Sequence, residues 1–327
     1  MRSLRPFSPE RPLILAIALV AVCLTGCSKS PPLGPLATTG AAANASGAGV
    51  TEAAGFGSGA FYPLTIGNAW TYEGGGSARV LSGGSQPPED FSYAFTETRR
   101  LIGTTHHEGT AYVVEEQVHH SVPESSYGPD TWWSRMRQDR SALFALDTLL
   151  QSPPTIDEAR VAASPAHGAS HPYRIDSAAW LRNGSKDPAL ARFADRVEMM
   201  REAVRGITRR DAGPAAPSGL ELRFLVYPLH PGVSWSTRPD FPWPVWVDGI
   251  ENLITPAGKF SAYRIGVNPF GTTVHEGEWI YLWYSRQGYL GYSIHTFSLA
   301  TGPDGQPTGA VYVLDDSMRV TSVQVAR

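Results

Sequence analysis

A chain of 327 residues with 27 Lys plus Arg against 30 Asp plus Glu has a formal net charge of −3, and this mild acidity argues against a nucleic-acid partner, which calls for a basic patch or stripe. Its 33 Gly and 27 Pro break any long helical pattern, while 9 Trp, 13 Tyr and 12 Phe supply bulk for a core. A chain so punctuated and so aromatic is read as sheet rather than helical bundle.

Arg2, Arg5 and Arg11 precede an apolar run from Pro12 to Leu24, a charged start and a hydrophobic segment of secretory-signal length. The run falls short of the roughly 20 apolar residues needed to cross a bilayer as a helix. It ends in Leu24-Thr25-Gly26-Cys27, which resembles the bacterial lipoprotein signal, where a small-residue pair precedes the cysteine that takes the lipid. The resemblance implies a signal peptide over 1–26 and Cys27 as the acylated first residue of the mature chain. Attachment through two or three chains such as palmitate would anchor it firmly, since one chain binds only marginally. Ser28 occupies the position where Asp retains such proteins at the inner membrane, so the resemblance favours the outer membrane. The competing reading is plain cleavage after Gly26 with Cys27 an ordinary cysteine. Losing 1–26, with three Arg and one Glu, takes the net charge from −3 to −5 and discards Cys23, the one other cysteine. No internal disulfide is then expected, and the fold must rest on packing.

Residues 27–60 are read as anchor and flexible tether, because their Ala, Gly, Ser, Thr, Asn and Pro hold too little bulky apolar surface to repay ordering. The composition changes at Phe61, and 61–327 is expected to be a single β-rich domain. Ile66-Gly67-Asn68 reads as a tight turn into a strand over Ala69–Glu73, with Trp70 and Tyr72 on one face. Gly74–Asp90 reads as a soft region. Phe91–Gly103 and Thr110–Val118 form a hairpin that turns at His106–Gly109, followed by a strand at Asp130–Gln138 and an apolar run at Ser141–Leu149. The Pro-rich stretch at about 151–219 reads as an insert, a small helical layer or a lid. Within it Asp187–Arg205 has an Asp-Pro start and Leu190, Phe193, Val197 and Met200 at helical spacing, with a strand near Val197–Val204 as the competitor. Further strands are expected over Leu220–Leu229, Val245–Leu253, Gly258–Val267, Gly277–Ser285, Tyr289–Phe297 and Ala310–Val325.

Four pieces occur together: Tyr62-Pro63-Leu64 with Gly67-Asn68-x-Trp70-x-Tyr72; Pro231-Gly232-x-x-Trp235; Pro256-Ala257-Gly258-Lys259-Phe260-x-Ala262; and Trp283-Tyr284-Ser285-Arg286-Gln287-Gly288-Tyr289-Leu290-Gly291. In this order they resemble a broad group of poorly characterised bacterial envelope lipoproteins. The likeness spans 61–73 and about 225–295. It departs from the group's usual Gly-x-Gly close at Gly288-Tyr289-Leu290-Gly291. The resemblance implies a strongly curved antiparallel sheet or half-barrel, similar to that of lipoprotein-carrier proteins, with a small helical or irregular insert. It brings no functional residues with it. Read from the residues alone, Pro256-Ala257-Gly258 is a turn into a strand with Phe260, Ala262 and Arg264 on one face, and Gly288 is a hairpin turn or bulge. Trp70, Trp235, Phe260 and Trp283 are expected as core anchors or as the lining of an apolar ligand cavity.

No Gly-x-Ser-x-Gly elbow, His-Glu-x-x-His or phosphate-cradling loop occurs. His106-His107 and His119-His120 offer one histidine per face at most and lack a completing ligand set, so neither a metal nor a cofactor is expected and the four read as solvated hairpin ends. Asp248, Glu251, Glu276, Glu278 and Arg286 carry no spacing that aligns two carboxylates for glycoside hydrolysis. These readings describe a non-enzymatic, membrane-tethered envelope protein that binds a lipid or other apolar ligand. The alternatives are an accessory protein that binds another envelope protein and a hydrolase acting on glycan or lipid. An apolar cavity above about 300 Å³ would mark the carrier; an interior filled by the domain's own side chains, with recognition outside, would mark the accessory protein.

Overall fold

The computed structural model describes residues 61–81, 89–122, 130–146, 150, 153–159, 193, 195–197, 199–201, 204, 220–237, 244–268, 277–301 and 306–326. Cys27, the tether and Glu276 lie outside them. The strands are β1 (Ala69–Leu81), β2 (Glu89–His107), β3 (Thr110–Val122), β4 (Asp130–Gln138), β5 (Ala142–Leu146), β6 (Glu158–Ala159), β7 (Glu221–Val226), β8 (Ser234–Ser236), β9 (Pro244–Thr255), β10 (Gly258–Val267), β11 (Trp279–Ser285), β12 (Gly288–Thr301) and β13 (Pro307–Gln324).

Twelve of them form one strongly curved, nearly closed antiparallel sheet in the order β7-β5-β4-β3-β2-β1-β13-β12-β11-β10-β9-β8, and the two-residue β6 pairs with β2. Neighbours are mostly hairpins, the arrangement expected where short turns separate alternating runs. The return of β13 to pair with β1 joins the two halves. Irregularities at Thr71/Tyr72, Leu101/Gly103, Arg264/Ile265 and Trp283/Tyr284 add the local twist that bends a sheet this far. Its two outermost strands approach each other, where the Arg223 amide donates to the Thr237 carbonyl at 3.0 Å.

The recognisable opening motif is structural. Asn68 is fully buried; its Nδ2 donates to the Pro63 carbonyl at 2.7 Å and its Oδ1 accepts the Ala326 amide at 2.7 Å, pinning the segment after β13 to the turn before β1. Its carbonyl also accepts the Leu101 amide at 3.0 Å. Two-residue turns set the register, as at Glu108-Gly109, where φ values of 50° and 79° fit a tight hairpin turn.

Gly74–Leu81 is strand rather than soft loop. Its glycines sit between β2 and β13 along the whole ladder, and the Phe95 ring fills the space a side chain at Gly74 would need. Neighbouring bulk replaces the missing side chains, a tertiary effect that local propensity does not register. The described residues between 193 and 204 are helical, in accord with the helix reading of the insert. Phe193, Val197, Met200 and Val204 face the core of the curved sheet, and Phe193 stacks on Tyr312 at 5.7 Å.

Candidate functional site

Alternation along the central strands separates two faces with different chemistry. On the concave face, β2 presents Phe95, Glu97, Arg99 and Leu101, and β3 presents Glu115, Gln117 and His119; all are buried. Arg99 Nε donates to Glu97 at 2.7 Å, and its guanidinium lies over the rings of Tyr289 and Tyr72 at 4.7 and 5.4 Å. Glu115 accepts from Tyr62, from Gln117 at 2.5 Å and from Ser134 at 3.2 Å; Gln117 in turn accepts the Trp132 indole N–H at 2.7 Å. Burial opposes the charge on Arg99, but Glu97 and Glu115 outweigh it and hold the guanidinium well above its ordinary pKa. Burial first, then Glu115, raises the Tyr62 hydroxyl, which keeps it a neutral donor.

A second buried group docks the helix. Arg201 Nε donates to Asp316 at 2.8 Å and its Nη2 to Tyr93 at 2.5 Å, while Tyr292 donates to the other Asp316 oxygen at 3.1 Å. Arg196 pairs with Glu278 at 2.7 Å, and Glu278 also accepts from Thr296 at 2.6 Å. The concave face is thus taken up by the chain's own charged, hydrogen-bonded and aromatic groups, with the helix laid over part of it.

On the convex face, directly opposed residues fall in rows that run across the strands. The first row is Trp246, Gly266, Tyr281, Ser293, Ser317 and Gly75. Five strand spacings of about 4.8 Å make it roughly 24 Å long. The Trp246 ring covers Gly266, where an added Cβ would fall 2.3 Å from the indole. The row beside it is Arg264, Trp283, Gly291, Arg319 and Glu73. There Arg264 holds Asp248 at 2.7 Å and Glu251 at 3.0 Å, the Trp283 indole donates to Glu251 at 2.5 Å, and the Arg319 guanidinium sits 4.2 Å above Trp283. The row on the other side is Trp279, His295, Asp315 and Ser77. Trp279 and His295 stack at 4.5 Å, and Asp315 takes His295 at 2.6 Å and Arg79 at 2.7 Å. The His295 hydrogen bond, opposed by burial and aided by Arg79, lowers the Asp315 pKa.

The four expected aromatic positions fall in four places. Trp70 is fully buried, stacked on Tyr62 at 5.0 Å, and donates to the Gln287 carbonyl at 2.7 Å in the turn before Gly288. Trp283 is buried on the opposite, convex face. Half-buried Trp235 bridges the approach of the outermost strands by donating to the Arg223 carbonyl at 3.1 Å. Phe260, also half-buried, packs on the edge of the core in β10.

The histidine pairs do not meet, since His106 opposes Ala111 whereas His119 opposes Glu97. His119 is no solvated hairpin end. It is buried beside Phe95, whose ring lies 4.7 Å away, because β3 turns this position onto the concave face. His106 pairs with Asp157 at 2.8 Å, and His107 lies 3.1 Å from Arg135. Asp248 and Glu251 converge on Arg264, whereas Glu278 serves the helix on the other face. The sequence reading missed the Glu97–Arg99–Glu115–Gln117 network and the convex rows. The first had a signal: these residues are in phase with Phe95 and Leu101, the apolar positions of the same strand.

No protein-family model matches the chain, and no curated protein does. Three solved structures are distantly similar. A candidate lipoprotein from Parabacteroides distasonis is 9% identical over 81% of this chain and 98% of that one, with a TM-score of 0.31. A candidate exported protein with YmcC-like fold from Bacteroides fragilis is 10% identical over 81% and 99%, with a TM-score of 0.30. A DUF1329 family protein from Desulfovibrio piger is 11% identical over 77% and 86%, with a TM-score of 0.18. Likeness at this level leaves function to the geometry of this chain.

Proposed function

We propose that this is a lipid-anchored envelope protein, tethered through Cys27 and residues 27–60 to the membrane, in an outer membrane where the envelope has one. Its body over 61–327 is a non-enzymatic scaffold that recognises another envelope component with its outer surface. One observation carries the choice over a lipid carrier: the concave face is occupied by buried ion pairs and a docked helix. An acyl chain could enter only by displacing Arg99, Glu97, Glu115, Arg201 and Asp316 from one another, a cost of several kcal/mol per unpaired charge.

Two measurements test the reading. Cys27→Ser should shift the protein from the membrane to the soluble envelope fraction, and wild-type protein found unlipidated there overturns the anchor. Native mass spectrometry of the protein extracted from its own envelope should show no bound apolar molecule beyond the anchor; a stoichiometric retained lipid would restore the carrier reading.

A further inference from the structure

The geometry points to the outer edge of β9 as a surface that pairs, antiparallel and about a two-fold axis at Asn252, with the same edge of a second copy of this chain. β9 is paired with β10 along nearly all its length, but β8 meets its other side only at Pro244, Val245 and Trp246. Val247 extends that contact by donating to the Val233 carbonyl at 2.8 Å and accepting the Gly232 amide at 3.0 Å. From 248 to 255 the outer side of β9 has no backbone partner among the described residues. Such an edge is a ready template for another strand unless charge, proline or a covering segment blunts it. Here it is left open. Glu251 is the one charge between Gly249 and Thr255, and Arg264 and the Trp283 indole hold it toward β10 and β11. Ile250 and Ile254 flank the exposed Asn252 and alternate with buried Leu253 and Thr255, and they keep 43% and 77% of their surface exposed.

The pattern selects the occupant. Ile250-x-Asn252-x-Ile254 reads the same in both directions, and Asn252 stands midway between Val247, where the contact with the preceding segment ends, and Ala257 in the turn to β10. Antiparallel pairing centred on Asn252 therefore sets Ile250 of each copy opposite Ile254 of the other, burying two isoleucine pairs on one face. It also sets the two Asn252 side chains opposite each other. An amide both donates and accepts, so the pair is self-complementary, and a single Asn among apolar residues fixes register as it does in coiled coils. An isologous contact requires this symmetry, whereas an unrelated extended segment has no need of it. A single strand pair buries less than the roughly 800 Å² per partner of a standard complex, so the contact is weak in dilute solution. Attachment of both copies to one membrane raises their effective concentration, and this step alone rests on the anchor.

The test is disulfide cross-linking of the purified full chain at high micromolar concentration. Asn252→Cys should oxidise to a dimer, because directly opposed Cα atoms lie about 4.5–5.5 Å apart, within disulfide reach. Ile254→Cys alone should not, since its symmetry mate stands roughly 13 Å away along the strand, whereas Ile250→Cys mixed with Ile254→Cys should. Adding Ile254→Lys to Asn252→Cys should lower the dimer yield about tenfold, because each Ile–Ile pair becomes an isoleucine facing a cation. All the variants alter exposed positions and should keep the wild-type near-ultraviolet circular dichroism, and wild-type protein, which has Cys27, controls for cross-links elsewhere. Absence of a dimer from correctly folded Asn252→Cys overturns the assignment, as does an equal yield from Ile254→Cys alone, failure of the mixed pair, or a yield that Ile254→Lys leaves unchanged. Cross-linking of Asn252→Cys in the envelope to a different protein in place of its own copy would overturn the choice of occupant. The cross-link is read on purified protein and the anchor by fractionation, so either proposal can fail alone.

Discussion

The concave and convex faces of the central strands carry comparable numbers of charges but hold them differently. On the concave face Glu97, Arg99, Glu115 and Asp316 have 2%, 7%, 1% and 2% of their surface exposed. On the convex face the side chains of Arg79, Asp315, Arg264 and Asp248 keep 41%, 42%, 34% and 31%. Ionic groups fully withdrawn from water must find every partner inside the fold, so the concave network fixes which residues oppose one another across β1 to β4. It specifies packing more than it adds stability. These convex pairs are solvated and cheap to rearrange, which suits a surface that meets partners, whereas Glu116, held by Arg100 on the same face of β2 and β3, is fully buried.

The largest expected effect comes from removing the cation of the concave network. Arg99→Met leaves Glu97 and Glu115 buried without their guanidinium and should cost about 3–5 kcal/mol in urea unfolding. Arg264→Met, which strands two partly solvated carboxylates, should cost about 1 kcal/mol or less. Equal losses would break the contrast between the faces.

The convex face can be divided further. Trp283, buried under Arg319, should lose about 3–5 kcal/mol on conversion to Ala, in the range of large core truncations. Trp246→Ala removes a half-buried ring lying on a glycine and should cost about 1 kcal/mol. A Trp283→Ala protein as stable as wild type would remove Trp283 from the structural core and reassign it to the surface.

Much of the fold was legible because alternation, breakers and turn chemistry agree in β3, β4 and β10, whose limits fall at or near those expected. Two things were not. Strand Gly74–Leu81 has almost no side-chain signal of its own and exists through Phe95 and the ladders on either side. Both faces of the site depend on register between strands far apart in sequence: Gly266, Tyr281, Ser293 and Ser317 are unremarkable singly and meaningful only in a row. The one local clue was charge in phase with apolar positions in Phe95-x-Glu97-x-Arg99-x-Leu101, which marks buried ions once the face of the strand is known. The resemblance in the opening motif pointed to Trp70 and Asn68, whose roles prove to be closure of the fold.

The smallest expected effect tests solvated charge at the turn between β4 and β5. Asp139 Oδ1 accepts the Ser141 hydroxyl and amide, each at 2.7 Å, and the Ala142 amide at 3.0 Å, while Arg137 lies 3.4 Å from its other oxygen. The hydrogen bonds from Ser141, with those from Ala142 and Arg137, lower its pKa from 3.8 to about 2. A carboxylate depressed in the folded state stabilises it above the unfolded value, and that contribution disappears as pH falls from about 4 through about 2. The side chain is 46% exposed, so solvent screens the interaction and less than about 1 kcal/mol is at stake. Asp139→Ala should therefore lower stability slightly at pH 7 and flatten the part of the acid-unfolding profile between pH 4 and 2, leaving the convex rows and the anchor untouched. A loss comparable to that of Arg99→Met would mean that this solvated turn, and not the concave network, sets the register of β4 and β5.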